Sequence, residues 1–115
     1  MKKFIKNIPH EAVIPLAAQV DILPGQVVSK TLAQNKAVSL TLFAFDKGEE
    51  ISTHASSGDA FVHVLEGEGS FTVDGKLHAV KAGEALVMPA GKPHAVFASQ
   101  PFKMLLTVIF PREDA

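Results

Sequence analysis

The sequence contains no cysteine among its 115 residues. Disulfide bonds and thiolate metal sites are therefore excluded, and any metal site must use histidine, carboxylate or water. Arginine occurs once, at Arg112, and the lysines are dispersed from Lys2 to Lys103. With a formal net charge of −1, the chain offers no basic stripe, and we predict that it does not bind nucleic acid.

Long apolar runs are also missing. No run approaches the roughly 18 to 20 apolar residues that a membrane span requires. The beginning, MKKFIKNIPHEAVIPLAAQV, is superficially similar to a signal peptide, but Lys6, His10 and Glu11 interrupt it and Pro15 falls in its short apolar stretch. We expect no membrane partner and, given the absence of cysteine, a cytoplasmic location.

The balance of residue types predicts one ordered domain. Apolar residues make up 47% of the chain and charged residues 20%, which is typical of a compact globular fold. We expect residues 1–24 to form an N-terminal arm with one or two short helical turns within 9–20, where Pro9 is acceptable at a first helical position and Pro15 limits any continuation. Residues 25–115 are then a single β-domain.

The β-domain is predicted from alternation and turn signals. In AVSLTLFAFD the residues Val38, Leu40, Leu42 and Ala44 share one face, with phenylalanines on the other. Asp74-Gly75 lies between two alternating segments and predicts a tight hairpin. Strands recur about every ten residues, a rhythm that predicts an antiparallel sandwich or barrel.

Two segments carry a family resemblance. GEALVMPAGKPHAVFA, residues 83–98, has Gly83, Pro89, Gly91 and His94 at the spacings of the second cupin motif, with Ala98 where that motif has asparagine. GEEISTHASSGDAFVHVLEG, residues 48–67, is similar to the first motif at its two end glycines and at His54. The chain therefore resembles the small RmlC-like cupins.

This resemblance implies an antiparallel jelly-roll barrel, also called a double-stranded β-helix, that often holds one divalent metal. The family's usual ligands are three histidines and one glutamate. Here His54 and His94 are retained, whereas Ser56 and Ala60 occupy the positions of the second histidine and the glutamate. The resemblance implies a depleted site for Fe, Mn, Zn, Ni or Cu at His54 and His94.

Two weaker ligand candidates are Asp59 and His63. Asp59 neighbours the vacant glutamate position, although a solvated turn carboxylate is the simpler interpretation. Side chains alternate along a strand, so if position 60 faces the barrel interior, His63 faces the opposite side and is not directed at the site. The residues predicted to line the pocket are those expected to face the interior of the barrel: Ser56, Ala60, Val62, Met88, Val96 and Ala98.

Three functions remain open. The first is a metal-dependent cupin of the dioxygenase or isomerase type that acts on a small organic molecule in the barrel. The second is a metal-free module that binds a small ligand in the same cavity. The third is a proton-transfer isomerase or lyase in which His54 or His94 is the base.

We also expect a homodimer. The apolar runs LTLFAF and KMLLTVIF supply more hydrophobic face than one barrel interior requires, and the segment VVSKTLA offers a strand edge for a second subunit. Neither the substrate nor the identity of a metal follows from the sequence.

Overall fold

A computed structural model of the chain describes residues 3–112. The first two residues of the predicted arm and the last three of the predicted β-domain lie outside this range. No helix within it is long and apolar enough to cross a membrane. The described residues form a short 3₁₀ helix and nine strands, with these bounds: 3₁₀ Leu16–Gln19, β1 Val27–Gln34, β2 Val38–Phe45, β3 Glu50–His54, β4 Asp59–Glu66, β5 Glu68–Val73, β6 Lys76–Lys81, β7 Ala85–Met88, β8 His94–Phe97 and β9 Phe102–Ile109.

The strands form two antiparallel sheets. The larger has the order β1-β2-β9-β4-β7 and the smaller the order β3-β8-β5-β6. Consecutive strands therefore often lie in different sheets, and the chain crosses repeatedly between them. This confirms the antiparallel β fold predicted from the strand rhythm and the jelly roll that the family resemblance implies.

The core lies between the sheets and is built around phenylalanines. Phe45 and Phe102 come from the larger sheet and Phe71 from the smaller one, and all three are fully buried. The rings of Phe45 and Phe102 stack with centroids 4.6 Å apart, and Phe71 meets Phe102 edge to face at 5.9 Å. Large aromatic side chains thus occupy the centre of the barrel.

A second apolar cluster covers the outer face of the larger sheet. Leu42 and Ala44 of β2 form it with Leu32 of β1 and Val20 of the N-terminal arm. The predicted alternation of β2 is confirmed, because Phe43 and Phe45 pack on the opposite, core side. Further arm residues pack against this outer cluster: Ile8, Leu16 and Ile22. The arm therefore buries part of the apolar surface that exceeds what the barrel interior requires.

One short helical turn lies within the predicted range 9–20. The 3₁₀ helix follows Pro15 instead of beginning at Pro9. Asn7 and Glu11 have φ of 68° and 54°, in the left-handed region that a right-handed helix cannot use. Pro15, with its φ near −75°, instead leads directly into the helix.

Tight turns close the predicted hairpin at Asp74-Gly75 and the hairpin of β1 and β2. Asp74 and Gly75 have φ of 49° and 81°, which confirms a turn that requires two left-handed residues. In the β1–β2 turn, the Asn35 Oδ1 accepts hydrogen bonds from the N–H groups of Ala37 and Val38 at 2.8 and 3.0 Å.

Candidate functional site

Two histidines that are far apart in the sequence meet at one end of the barrel. His54 is the last residue of β3 and His94 the first of β8, and the antiparallel register pairs them directly. Their Nε2 atoms are 3.2 Å apart. The ring centroids are 4.3 Å apart, with an angle of 70° between the rings. The two motifs thus place their histidines in contact.

The loops that carry the histidines are joined to each other. The N–H of Gly91 donates to the Ser56 carbonyl oxygen at 2.9 Å. The N–H of Ala90 donates to the Asp59 Oδ1 at 2.8 Å. These two bonds connect the β3–β4 loop after His54 to the β7–β8 turn before His94, and so hold the pair together.

Each imidazole is also oriented by a backbone carbonyl. The His54 Nδ1 lies 2.8 Å from the oxygen of Ser52, and the His94 Nδ1 lies 3.2 Å from the oxygen of Lys92. A carbonyl oxygen only accepts, so each Nδ1 carries the hydrogen in these bonds. When both rings are neutral, each Nε2 then directs a lone pair towards the other.

The two histidines differ in exposure. His54 is exposed at the mouth of the barrel, whereas His94 is only 3% exposed. Burial lowers the pKa of His94 below its ordinary 6.5, and the charge of His54 lowers it further, against the smaller opposite effect of the hydrogen bond to Lys92. The buried imidazole is therefore held in its neutral form, which is the form that binds metals.

The structure does not bring the weaker ligand candidates to this pair. Asp59 is engaged with the backbone of Ala90. His63 is paired with Ala85 and Leu105, on the face of β4 opposite to the buried Val62. Among residues 3–112 no group of three or more His, Cys, Asp or Glu side chains is arranged to hold a metal ion.

The predicted pocket residues divide into two groups. Ser56 is half-buried in the loop after His54, and its Oγ accepts a hydrogen bond from the N–H of Gly58 at 3.2 Å. The others are almost fully buried and belong to the core cluster: Ala60, Val62, Met88, Val96 and Ala98. The polar part of the site is thus at the mouth, next to His54.

Sequence reasoning missed what Asp59 does. The sequence favours a turn carboxylate at Gly58, but the Gly58 N–H is bonded to Ser56, and Asp59 reaches across to the β7–β8 turn. Ala90 is 31 residues away from Asp59 in the sequence, so no pattern in the residues around Asp59 predicts this contact. The fragment SSGD identifies a turn but not the segment against which that turn packs.

Comparisons with known proteins agree with this fold. The model of the cupin domain family matches residues 41–110, a range that contains both histidines. The dimethylsulfoniopropionate lyase DddW of Ruegeria pomeroyi is 31% identical over an alignment of 103 residues that covers 80% of this chain and 68% of that protein.

Solved structures agree as well. A conserved protein of unknown function from Streptococcus pyogenes is 42% identical, with a TM-score of 0.95 over 96% of this chain and 97% of that one. A cupin superfamily protein from Desulfitobacterium hafniense is 34% identical, with a TM-score of 0.88 over 93% of this chain and 98% of that one.

Proposed function

The chain belongs to the cupin domain family, and on this premise we propose that it binds one divalent metal ion through His54 and His94 and acts on a small organic molecule at the mouth of the barrel. The observation that carries this proposal is the convergence of the two Nε2 atoms to 3.2 Å while both Nδ1 atoms are bonded to carbonyl oxygens.

Two converging lone pairs repel each other unless a cation or a proton lies between them. Protonation is opposed at His94, whose pKa is lowered by burial. A separation of 3.2 Å is also close to the spacing of two adjacent nitrogen ligands, each about 2.1 Å from one ion. The donor set therefore fits a metal such as Zn, Fe, Ni, Cu or Mn.

Two imidazoles are fewer ligands than the three or four that tight sites use. Water or substrate must complete the coordination, so we expect metal binding to be weaker than in a complete cupin site. A bound divalent ion would supply Lewis-acid polarisation of a substrate oxygen.

The residues of the chain set where a ligand binds. Phe45, Phe71 and Phe102 fill the centre of the barrel, so a substrate of more than a few atoms must approach from the mouth. At the mouth, the exposed His54 is the first of the two histidines that such a substrate meets. The Ser56 Oγ takes part in its hydrogen bond with the Gly58 N–H as an acceptor. Its own hydroxyl hydrogen can therefore be donated to a substrate oxygen.

The metal proposal is tested by elemental analysis of protein purified without a nickel column. The protein is brought to equilibrium by dialysis against buffer that contains Fe, Mn, Zn, Ni or Cu at a known free concentration, and the metal bound in excess of that buffer is measured. We expect close to one metal ion per chain in the wild type and a large loss in His54→Ala and His94→Ala. His63→Ala is the matched control, because His63 is on the other face of β4. Wild-type protein that retains none of these metals contradicts the proposal.

A lyase reaction is the second candidate, favoured by the similarity to dimethylsulfoniopropionate lyase. Elimination from that substrate needs a base that removes a proton from the carbon next to the carboxylate. The exposed His54, oriented by its bond to Ser52, is suited to this role.

The two candidates are separated by the effect of a chelator. Purified protein is incubated with dimethylsulfoniopropionate, and dimethyl sulfide is measured with and without prior treatment with EDTA. Release that is lost in His54→Ala but resists EDTA supports a metal-free lyase, and release that EDTA abolishes supports the metal-dependent reaction. Protein with neither metal nor turnover fits a small-ligand-binding module instead.

A further inference from the structure

Three loops meet at the mouth of the barrel beside the histidine pair. The β3–β4 loop and the β7–β8 turn are bonded to each other there. The β5–β6 hairpin joins them, because the N–H of Asp74 donates to the Pro93 carbonyl oxygen at 2.8 Å. The Lys92 Nζ also pairs with the Asp74 carboxylate at 3.6 Å. The first residues of β6 therefore lie at the same end of the barrel as His54 and His94.

The register of the smaller sheet aligns Lys76 with the two histidines. His54 pairs with His94, and His94 pairs with Val73 of β5. Val73 in turn pairs with Lys76, at the start of β6. Directly paired residues of antiparallel strands share a face, and Val73 packs against the core, so Lys76 lies on the inner face in the same row. Neighbouring strands are about 4.8 Å apart, which places the Cα of Lys76 roughly 10 Å from that of His94.

His78 belongs to the same face of β6. It pairs with the buried Phe71 of β5 and is itself half-buried. Because side chains alternate along a strand, Lys76 and His78 are neighbours on the inner face, whereas Leu77 points outward and is 66% exposed. Neither the ammonium group of Lys76 nor the imidazole of His78 forms a hydrogen bond or an ion pair within residues 3–112. Both are therefore available to a ligand.

No carboxylate among the described residues balances Lys76 on the inner face of the mouth. Asp74 is paired with Lys92. Asp59 is bonded to the β7–β8 turn and alternates with the buried Ala60, so it lies on the outer face. On the larger sheet, the inner row nearest the mouth is uncharged and consists of Ser39, Val108, Ala60 and Met88. An anion at the mouth therefore meets a positive charge and no unpaired carboxylate.

From this arrangement we propose that Lys76 and His78 bind the carboxylate of a small organic acid whose other end reaches the histidine pair. The lysine supplies the positive charge, and an imidazole N–H of His78 supplies a hydrogen bond. Val73, which lies between Lys76 and His94 in the row, offers an apolar surface to a short aliphatic chain. The inference rests on the proposed function for the role of the histidine pair, but carboxylate binding itself needs no metal.

The carboxylate subsite is tested by titrating metal-free ¹⁵N-labelled protein with butyrate at constant pH and following the amide chemical shifts. Butyramide, which has the same chain without the charge, is the matched ligand. We expect butyrate to shift the amides of Val73, Lys76 and His78, and to bind about threefold or more tightly than butyramide. Equal affinity for the two compounds, or shifts confined to other parts of the chain, overturns the proposal.

Variants on β6 locate the bound carboxylate. Lys76→Gln should weaken butyrate binding about threefold or more, and Lys76→Arg should retain most of it. Lys81→Gln is the matched control, because Lys81 is exposed on the opposite face of the same strand. His78→Phe keeps a ring but removes the N–H donor and should also weaken binding. The ¹⁵N spectrum of each variant verifies its fold, and unchanged affinity in Lys76→Gln overturns the proposal.

Succinate tests whether the other end of the ligand reaches the histidine pair. It carries a second carboxylate at the far end of a chain as long as that of butyrate. In the presence of zinc, succinate should bind the wild type about tenfold more tightly than butyrate does, and His54→Ala should abolish this advantage. Equal affinity of zinc-bound protein for the two acids overturns the placement of the ligand between Lys76 and the histidines.

The metal-free titration also separates this inference from the proposed function. Butyrate binding that depends on Lys76, in protein that binds no metal, supports the carboxylate subsite and contradicts the metal site. Metal binding that depends on His54, in protein whose butyrate binding is unaffected by Lys76→Gln, overturns the subsite and leaves the proposed function standing.

Discussion

At the scale of single residues, burial keeps the imidazole of His94 in the neutral form that the proposed metal site requires. Its side chain is withdrawn from water, and this desolvation penalises the imidazolium more than the neutral ring. The hydrogen bond from Nδ1 to Lys92 leaves Nε2 as the atom that faces His54. A neutral, oriented imidazole can take up a metal without first losing a proton.

The lowered pKa of His94 predicts a pH dependence of stability. In metal-free protein the unfolded chain binds a proton at His94 near the ordinary value of 6.5, whereas the folded chain binds it only at lower pH. The free energy of unfolding is therefore unaffected by His94 above 6.5 and falls as the pH drops from there to the folded pKa.

Urea denaturation at pH 7.5 and 5.5, with EDTA present, checks this expectation. The wild type should lose more stability between the two pH values than His94→Gln does. Equal losses would mean that His94 titrates alike in the folded and unfolded chains.

Asp59 is expected to act through the turn that precedes His94. Asp59→Ala removes the acceptor for the Ala90 N–H and should lower the free energy of unfolding by about 1 kcal/mol. Asp59→Asn keeps an oxygen at the same place and should restore most of it. Chemical denaturation of both variants measures the difference, and an Asn variant as unstable as the Ala variant contradicts this role.

At the scale of elements, the N-terminal arm is held on the sheet by two lysines. The Lys103 Nζ donates to the Ala17 carbonyl oxygen at 2.8 Å and pairs with Glu66 at 3.2 Å. The Lys30 Nζ donates to the Gln19 carbonyl oxygen at 3.2 Å. These carbonyls belong to the 3₁₀ helix and have no partner within so short a helix.

Lys103→Met is therefore expected to loosen the arm. The apolar stem of the lysine is preserved, but the Ala17 carbonyl loses its charged donor, at a cost of about 1 to 2 kcal/mol. Hydrogen exchange should become faster in residues 16–22 while β5 and β8 remain protected. Lys47→Met, an exposed substitution, is the control, and unchanged exchange in the arm contradicts the lysine's role.

At the scale of the whole molecule, an apolar patch remains on the larger sheet beyond the arm. Phe61, Val87 and Ile109 are 45%, 50% and 56% exposed. Phe61 pairs directly with Val87, and Ile109 follows on the neighbouring strand. The β1 edge is a less suitable interface, because Lys6 and Asn7 already donate to its Leu32 and Thr31 carbonyl oxygens.

We expect this patch to form the contact of a homodimer. Phe61→Glu combined with Val87→Glu should give a monomer by light scattering, because two buried carboxylates on each subunit would face each other across the contact. Leu77→Glu changes an equally apolar side chain, 66% exposed on β6 of the smaller sheet, and should remain dimeric. A wild type that is monomeric at all concentrations contradicts the dimer.

Much of the fold follows from local chemistry. The alternation in β2 and the left-handed turn at Asp74-Gly75 depend on neighbouring residues only, so the sequence was sufficient for them. The range 9–20 predicted for the helical turn contains the 3₁₀ helix, but nothing local distinguishes Pro9 from Pro15 as the residue at which it starts. The surplus apolar face was recognised, but not that the arm covers part of it.

By itself, the sequence determined the strand pattern, the turns and the two histidine positions, since spacing and side-chain type are properties of the linear chain. Only the tertiary structure decided that the two Nε2 atoms converge, that Asp59 supports a turn instead of joining the ligands, and that phenylalanines fill the barrel. Each of these depends on contacts between segments distant in sequence, where the packing of several strands sets the direction of every side chain.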